Sequence, residues 1–482
     1  MKLLTFLSLF SITLCFSQAE VSLMYEELPN DSIPVTLRFH SGIKPHLGIK
    51  NSFTPTISLK HGENTKWFPK GYVTPVIDLT YQLTDNIATR SGLGLSFQSK
   101  ASNKWFYRLT AIQGIGNSSL NVRPKAFIVD SIQNNGYVYT DIRGRVSYSP
   151  NHIFNFQAGI DHNFVGEGNR SMLLGDYGTP YPFAQIRTNF WRLDYTVMYQ
   201  FLRENDQTPG WKSKYATSHL ISFNAFKWLN FGIFENIIFA PKDINLNRGF
   251  DAEYLNPVIF YRPQEYALGS SDNSLIGAQM TIKYKTHTAY GQFVLDDFVL
   301  AEFRAQTNWW ANKYAGQAGI KGRFDYDGQH YFYRVEANFA RPYTYSHSSS
   351  AQNYANQGNV LAHPLGANFN EFLLEFKWQK DKWVVKSFLS YYMKGEDNNL
   401  NYGGDIYQSY NNRPFEYGVI TGQGVRMNIT HLMVGAEYLV SKTNNLKFFI
   451  ENHLRANTLQ SNSTYQLFIG LRSCLWNDYR NY

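Results

Sequence analysis

Three groups of polar and aromatic side chains could bind a sugar. Such a site needs aromatic faces to cover the apolar side of a sugar ring and planar polar groups to hydrogen-bond its hydroxyls. The first group consists of Asp161, His162, Glu167 and Arg170, and the second of Arg248, Asp251, Glu253, Tyr261, Arg262 and Glu265. The third consists of Arg341, Tyr343, Tyr345, His347 and His363, while Trp309 and Trp310 add flat surface beside Arg304.

The same residues have a purely structural interpretation. In a large barrel, buried arginine–carboxylate networks can simply hold in-folded loops in place. We favour this interpretation for the first two groups, which makes Asp161, His162, Glu167 and Arg170 candidates for loop packing. The proline and glycine spacing around residues 254–263 also predicts a rigid in-folded loop. For the third group the two interpretations are balanced.

Catalytic and metal-binding patterns are weak in this sequence. The G-x-S-x-G nucleophile motif is absent. Residues 271–273 (SDN) and the pair Ser41 and Lys44 match two β-lactamase elements, but the third, K-T-G, is missing. The histidines are scattered, with no closely spaced pair of the kind that holds zinc. We therefore predict no catalytic residue, no metal and no cofactor, and a protein that is not an enzyme.

The N-terminus has the features of an export signal. Lys2 is followed by an apolar stretch, residues 3–16, that is too short to span a bilayer, and then by Ser17, Gln18 and Ala19. We predict a signal peptide at residues 1–19, with cleavage after Ala19. Residues 20–34 are predicted to form a periplasmic arm or plug segment, and residues 35–482 a single barrel. Removal of Cys15 would leave one cysteine, Cys474, so no intramolecular disulfide is expected.

Alternation with period two is the dominant pattern in the rest of the chain. In residues 191–201, apolar or aromatic residues occupy every second position from Trp191 to Phe201, and mostly polar residues lie between them. The same pattern recurs at 331–339, 371–378, 446–451 and 465–472. These segments run for about 9–13 residues, as tilted membrane strands do, whereas soluble strands are shorter. Aromatic residues make up 17% of the chain, which includes 34 Tyr and 36 Phe.

The connections between these segments alternate in length. Short turns are predicted at 327–328, 380–381, 227–228 and 441–445, and long connections at 166–181, 204–216, 240–274, 342–370 and 396–428. This layout is typical of an outer-membrane barrel. We predict an all-β, antiparallel transmembrane barrel of about 18 strands (16–20), its lumen occluded by in-folded loops, in the cell outer membrane. A soluble β-sandwich or β-helix would not explain the strand lengths.

Seven loop segments carry a resemblance to a known family. They are residues 166–174 (GEGNRSMLL), 181–183 (YPF), 214–216 (KYA), 248–250 (RGF), 254–263 (YLNPVIFYRP), 341–347 (RPYTYSH) and 362–368 (AHPLGAN). Together they resemble the Bacteroidetes branch of the capsule-assembly Wzi family, which includes proteins named gliding-motility protein RemB. The resemblance extends from about residue 130 to the C-terminus. The sugar-contacting residues of the enterobacterial proteins do not map onto this chain, so no binding residue is carried over.

The resemblance implies a non-enzymatic barrel that engages capsular or extracellular polysaccharide, for capsule attachment or for gliding over surfaces. Two other functions remain open, a diffusion channel and an accessory subunit that binds motility or secretion proteins. Lipopolysaccharide and other outer-membrane lipids are expected partners, as is the barrel-assembly machinery, which could recognise an aromatic-rich final strand at residues 476–482. The net charge of +8 could serve anionic solutes, polysaccharides or lipopolysaccharide phosphates, or reflect scattered lysines. The basic residues are not clustered in one stretch of the sequence, so no nucleic-acid binding is expected.

Overall fold

The chain forms a closed antiparallel barrel. The structure, a computed structural model, describes residues 19–20, 43–45, 58–59, 71–83, 87–99, 104–117, 125–132, 136–151, 153–204, 212–241, 249–250, 252–257, 272–441, 445–457, 459, 462–473 and 479. Within these ranges eighteen strands make the barrel, and β18 pairs with β1 to close it. They are β1 (Gly71–Leu83), β2 (Ala88–Ser99), β3 (Trp105–Asn117), β4 (Gly136–Tyr148), β5 (Phe154–Asp161), β6 (Tyr181–Phe190), β7 (Leu193–Arg203), β8 (Ser213–Phe226), β9 (Leu229–Phe239), β10 (Asn273–Tyr284), β11 (His287–Asp297), β12 (Lys313–Tyr326), β13 (Gln329–Ala340), β14 (Phe369–Lys380), β15 (Trp383–Glu396), β16 (Val425–Ser441), β17 (Leu446–Asn457) and β18 (Asn462–Ser473). The predicted fold is confirmed.

A few short elements lie outside the barrel ladder. Strand Asn163–Val165 pairs with Ile43–Pro45, Ala19–Glu20 with Ser58–Leu59, and Ala355–Asn356 with Asn359–Val360, while Ile128–Ile132 pairs with the start of β4. Helix α1 spans Leu300–Arg304, and 3₁₀ turns lie at Ala252–Leu255, Ser350–Gln352 and Tyr410–Asn412. In the described ranges, no helix is long and apolar enough to cross a membrane.

Two-residue turns line one rim of the barrel and long loops line the other. Turns 191–192, 227–228, 285–286, 327–328 and 381–382 join consecutive strands, and Asp327 and Gly328 both have positive φ, as a type I′ turn requires. The long connections are 162–180, 204–212, 240–272, 298–312, 341–368 and 397–424. The predicted loops and turns are confirmed to within a few residues, but the loop at 298–312 was not predicted.

The structure describes little of the two ends of the chain. Residues 1–18 and most of 20–70 lie outside the described residues, so the signal peptide and the arm at 20–34 stay predictions, and the first described barrel strand begins at Gly71. The last described strand ends at Ser473, and most of the segment 476–482 lies outside the described residues, so an aromatic-rich final strand there stays a prediction. In that segment the structure describes Tyr479, whose hydroxyl donates to the Asp176 carboxylate inside the barrel.

Outward-facing side chains form an apolar belt and inward-facing ones are polar. In β2, Leu93 and Leu95 point outward and are 67% and 49% exposed, whereas Arg90 and Ser96 point inward and are buried. A charge on the outward face costs about 2–4 kcal/mol at mid-membrane depth. The alternation seen in the sequence is therefore the signature of lipid on one side of each strand.

Changing one belt residue to arginine should reveal that cost. We expect Leu93→Arg to lower the free energy of unfolding in lipid vesicles by about 2–4 kcal/mol, because the new charge lies mid-strand on the outward face. Tyr326→Arg is the matched control: Tyr326 is 72% exposed but ends β12 beside a two-residue turn, where the cost falls to about 0–1 kcal/mol. Equal losses in urea unfolding would contradict the assignment of the belt.

Candidate functional site

Two long loops fill the lumen. Their buried core includes Met172, Leu173, Leu174, Tyr345, Tyr354, Val360, Leu361, Leu365 and Ala367, packed against inward residues of the wall. Tyr345 donates its hydroxyl to the Met172 carbonyl (2.7 Å), and Tyr354 donates to the Leu173 carbonyl (2.6 Å). The Gly175 amide donates to the Leu361 carbonyl (2.6 Å). Loops 162–180 and 341–368 thus form one packed body, which we term the plug.

The plug is bonded to the wall by buried carboxylates and amides. Glu336 of β13 accepts hydrogen bonds from the backbone amides of Asn169 (2.7 Å) and Arg170 (3.2 Å) and from the Tyr290 hydroxyl (2.8 Å). The Met172 amide donates to the side-chain oxygen of Gln292 of β11, and the side-chain nitrogen of Gln292 donates to the Val165 carbonyl. These contacts with several strands fix the plug in the lumen.

Three residues of the first predicted group, His162, Glu167 and Arg170, lie in this plug, and Asp161 ends β5 directly before it. Glu167 pairs with Lys321 of β12 (2.9 Å), and Arg170 lies over the rings of Phe388 and Tyr479. Asp161 pairs with Arg145 (3.0 Å) and Arg108, both on the inner wall. His162 contacts the Gly178 carbonyl through Nε2 (2.7 Å). All four predicted side chains are buried, as a loop-packing role requires.

His363 and Tyr345 of the third group are also inside the plug, each with no exposed surface. The Leu365 amide donates to Nδ1 of His363 (3.2 Å), so Nε2 carries the proton and donates to Glu371 (2.8 Å). Burial lowers the pKa of His363, although the Glu371 carboxylate opposes that shift. Neither side chain faces solvent at the outer rim of the barrel.

Two long loops meet across the barrel mouth. Residues 397–424, which connect β15 and β16, reach the loop 298–312 between β11 and β12. Three backbone hydrogen bonds join them, each 2.9–3.0 Å long. The Trp310 amide donates to the Glu416 carbonyl, the Gly418 amide to the Thr307 carbonyl and the Val419 amide to the Asn308 carbonyl. We term these two segments the mouth loops. Together they cover the plug on the long-loop side.

An exposed aromatic surface lies on the mouth loops. The ring of Trp310 is buried 5.0 Å from that of Tyr410 and 3.9 Å from the Arg413 guanidinium. Trp309 and Tyr410 are partly exposed, and Phe415 and Tyr417 are 53% and 56% exposed. We define the aromatic platform as Trp309, Tyr410, Phe415 and Tyr417. Arg413 is ion-paired with Glu416 beside it.

Three residues of the third group support the platform from below. Arg341 donates to the carbonyls of Trp309 (3.3 Å) and Val419 (3.2 Å), which ties the two mouth loops together. Tyr343 is buried and donates to the Asn401 carbonyl (2.7 Å). Burial and the nearby Asp397 carboxylate raise the pKa of the Tyr343 hydroxyl. His347 meets the Tyr410 ring edge-on.

Of the second predicted group, the structure describes Glu253 alone. Arg248, Asp251, Tyr261, Arg262 and Glu265 lie outside the described residues, and Glu253 is exposed. The adjoining residues lie on the outer wall: Thr217 and Tyr199, whose side chains point outward, donate to the carbonyls of Tyr254 (3.3 Å) and Leu255 (2.9 Å). The prediction of an in-folded loop is therefore wrong for this part. Beneath it lie His219 and Glu235, two outward-facing polar residues without exposed surface.

Sequence reasoning missed Tyr410, Arg413, Phe415 and Tyr417. They lie in a connection that was predicted to be a loop, but they carry no alternation and no recognised motif. Their aromatic content beside Asn411 and Asn412 was the available signal. Across the described ranges, no group of three or more His, Cys, Asp or Glu residues is arranged to hold a metal ion.

The sequence and the fold were compared with those of known proteins. No family model and no curated protein matches the sequence. Among solved structures, it is similar to Wzi of Escherichia coli, described as an outer membrane protein involved in group 1 capsule assembly and a carbohydrate-binding β-barrel. The identity is 13% and the TM-score 0.55, over 83% of this chain and 84% of that one.

Outer-membrane proteins of the OprD type also resemble the chain. OccAB2 of Acinetobacter baumannii matches at 8% identity and a TM-score of 0.47, over 85% of this chain and 99% of that one. OprD of Pseudomonas aeruginosa matches at 9% identity and a TM-score of 0.42, over 83% and 94%. With β18 paired to β1 and an apolar outward face, the described residues form an eighteen-stranded β-barrel of the outer membrane that shares its fold with Wzi.

Proposed function

We propose that the protein binds a surface polysaccharide at the aromatic platform and does so without catalysing a reaction. The observation that carries this proposal is that two exposed aromatic side chains, Phe415 and Tyr417, and two partly exposed ones, Trp309 and Tyr410, lie on the mouth loops above a lumen filled by the plug. Large exposed apolar side chains gathered in one place on a protein surface mark interaction sites. A ligand arriving from outside the cell meets this surface first.

The chemistry of the platform suits sugars. Phe415 and Tyr417 offer ring faces, while Asn411 and Asn412 offer exposed amides in the same loop. Trp310 and Arg413 hold the loop in place from below, so a sugar would meet an ordered surface. The shared fold with Wzi, described as carbohydrate-binding, supports the same assignment.

We infer from the resemblance to the Bacteroidetes Wzi and RemB-like proteins that the bound polymer serves capsule or slime attachment, or gliding. Motility or secretion proteins would then be secondary partners. A diffusion channel fits less well, because Glu336 and Gln292 bond the plug across the lumen. Planar-bilayer recordings distinguish these functions, as described in the Discussion.

Removing the two exposed rings should remove most of the binding. We expect Phe415→Ala combined with Tyr417→Ala to weaken polysaccharide binding by at least about tenfold, because two stacking rings that each contribute about 0.7 kcal/mol together supply the roughly 1.4 kcal/mol that a tenfold change requires. Affinity electrophoresis of the purified barrel in gels containing polysaccharide measures the change.

Tyr326→Ala is the control for that double variant. Tyr326 is also exposed, but it lies on the opposite rim beside a two-residue turn. We expect its variant to bind as the wild type does. Equal binding by the double variant and the wild type would refute the platform as the site. In a deletion strain, we expect reduced retention of polysaccharide at the cell surface.

A further inference from the structure

We infer that the platform selects neutral glycans rather than acidic ones; this inference rests on the proposed function. The chain as a whole carries a net charge of +8, which alone would favour an anionic polymer. The mouth loops carry the opposite charge. Residues 298–312 and 397–424 contain two basic residues, Arg304 and Arg413, and four acidic ones, Glu302, Asp397, Asp405 and Glu416.

Several basic residues of the chain form ion pairs away from the platform. In the lumen and along the inner wall, Arg145 pairs with Asp161, Arg334 with Glu375 and Lys386 with Glu437 and Glu451. Below the platform, Lys313 pairs with Asp296 and Asp297. These cations are buried or partly buried and already hydrogen-bonded to carboxylates. They cannot reach a polymer at the mouth.

The arginine within the platform loop is also engaged. Arg413 pairs with Glu416, donates to the Tyr410 carbonyl (3.0 Å) and stacks on Trp310. A carboxylated sugar would have to displace Glu416 to gain that guanidinium. Glu416 itself is 53% exposed at the side chain, so it would repel a second carboxylate close by.

The platform rings and the exposed amides of the mouth loops carry no charge. The mouth loops carry the four rings of the platform. They also carry exposed side-chain amides, at Gln306, Asn308, Asn398, Asn399, Asn411 and Asn412. An amide both donates and accepts, so it matches a sugar hydroxyl, which does the same. A carboxylate only accepts, and it is served better by arginine. The platform thus has the chemistry for neutral hydroxyl-rich sugars.

A panel of immobilised glycans tests this inference with the full-length barrel in detergent. The panel includes neutral polymers (dextran, galactan and mannan) and uronic-acid polymers (alginate and polygalacturonate). We expect binding to at least one neutral polymer, with less than about a twofold change in affinity between 50 and 500 mM NaCl, because no net charge pairing is involved. Phe415→Ala with Tyr417→Ala should abolish that binding.

The rim arginines provide a matched test of charge. Arg304 of the mouth loops and Arg426 at the start of β16 are exposed, and we expect Arg304→Gln combined with Arg426→Gln to leave neutral-glycan binding unchanged. Salt-sensitive binding of uronic-acid polymers that this variant loses would overturn the neutral-glycan inference and leave the proposed function standing. Absence of binding to both classes of polymer would overturn the proposed function, and with it this inference.

Discussion

In planar bilayers the wild-type protein is expected to show no steady conductance, and removal of the plug is expected to create one. The variant replaces residues 167–174 and 346–365 with short Gly-Ser linkers, which deletes the packed core around Met172, Leu173 and Tyr354. An emptied eighteen-stranded barrel encloses an aqueous path, so we expect current steps at least about tenfold above the wild-type baseline.

Two controls make the conductance result decisive. Heat-modifiable migration in gels shows whether the deletion variant still closes its barrel. A variant lacking only residues 167–174 should conduct less, because loop 341–368 still occupies the lumen. A wild-type protein with stable open channels would contradict the plugged lumen and favour a diffusion channel.

Loss of one buried carboxylate should have the largest effect of any single substitution on stability. Glu336 has no exposed surface and accepts hydrogen bonds from the amides of Asn169 and Arg170, from the Tyr290 hydroxyl and from the Asn338 side chain (3.0 Å). Glu336→Ala leaves these donors without that acceptor. We expect a loss of roughly 3–5 kcal/mol in the free energy of unfolding, because each orphaned buried donor costs about 1–3 kcal/mol and water entering the cavity recovers part of it.

Urea unfolding in lipid vesicles measures this loss, with Asp325→Ala as the control. The Asp325 carboxylate is 74% exposed and pairs with His330 near a two-residue turn, so its removal should change stability by at most about 1 kcal/mol. Glu336→Ala should also make the plug backbone around residues 166–175 accessible to protease. A stability equal to that of the Asp325 variant would show that Glu336 does not anchor the plug.

The barrel could be predicted from the sequence because its determinants are local. Strands such as β7 alternate apolar and polar residues, since lipid and lumen impose opposite requirements on neighbouring side chains. Each described two-residue turn joins strands that are consecutive in the chain, so short turns also predicted the pairing. The same alternation predicted that charged side chains of the strands face the lumen.

The site could be predicted only in part because its contacts are remote in sequence. Trp309 and Arg341 were selected for their chemistry, but their link to Val419 depends on a loop that crosses the mouth. No local pattern encodes that crossing. The outer-wall position of Tyr254 and Leu255 was missed for a related reason: outward hydroxyls of Tyr199 and Thr217 hold the loop, and they resemble ordinary belt residues in sequence.

Hydrogen–deuterium exchange with bound glycan tests the central claim most directly. With a neutral polymer from the panel at saturation, we expect slowed exchange at the backbone amides of residues 305–310 and 410–420, the segments that carry the aromatic platform and its hydrogen-bonded ladder. Amides of the plug around Asn169 and Tyr345 should be unchanged, because they already lie buried below. Protection confined to the plug and the inner wall, with none at the mouth loops, would contradict the account and place the ligand inside the barrel.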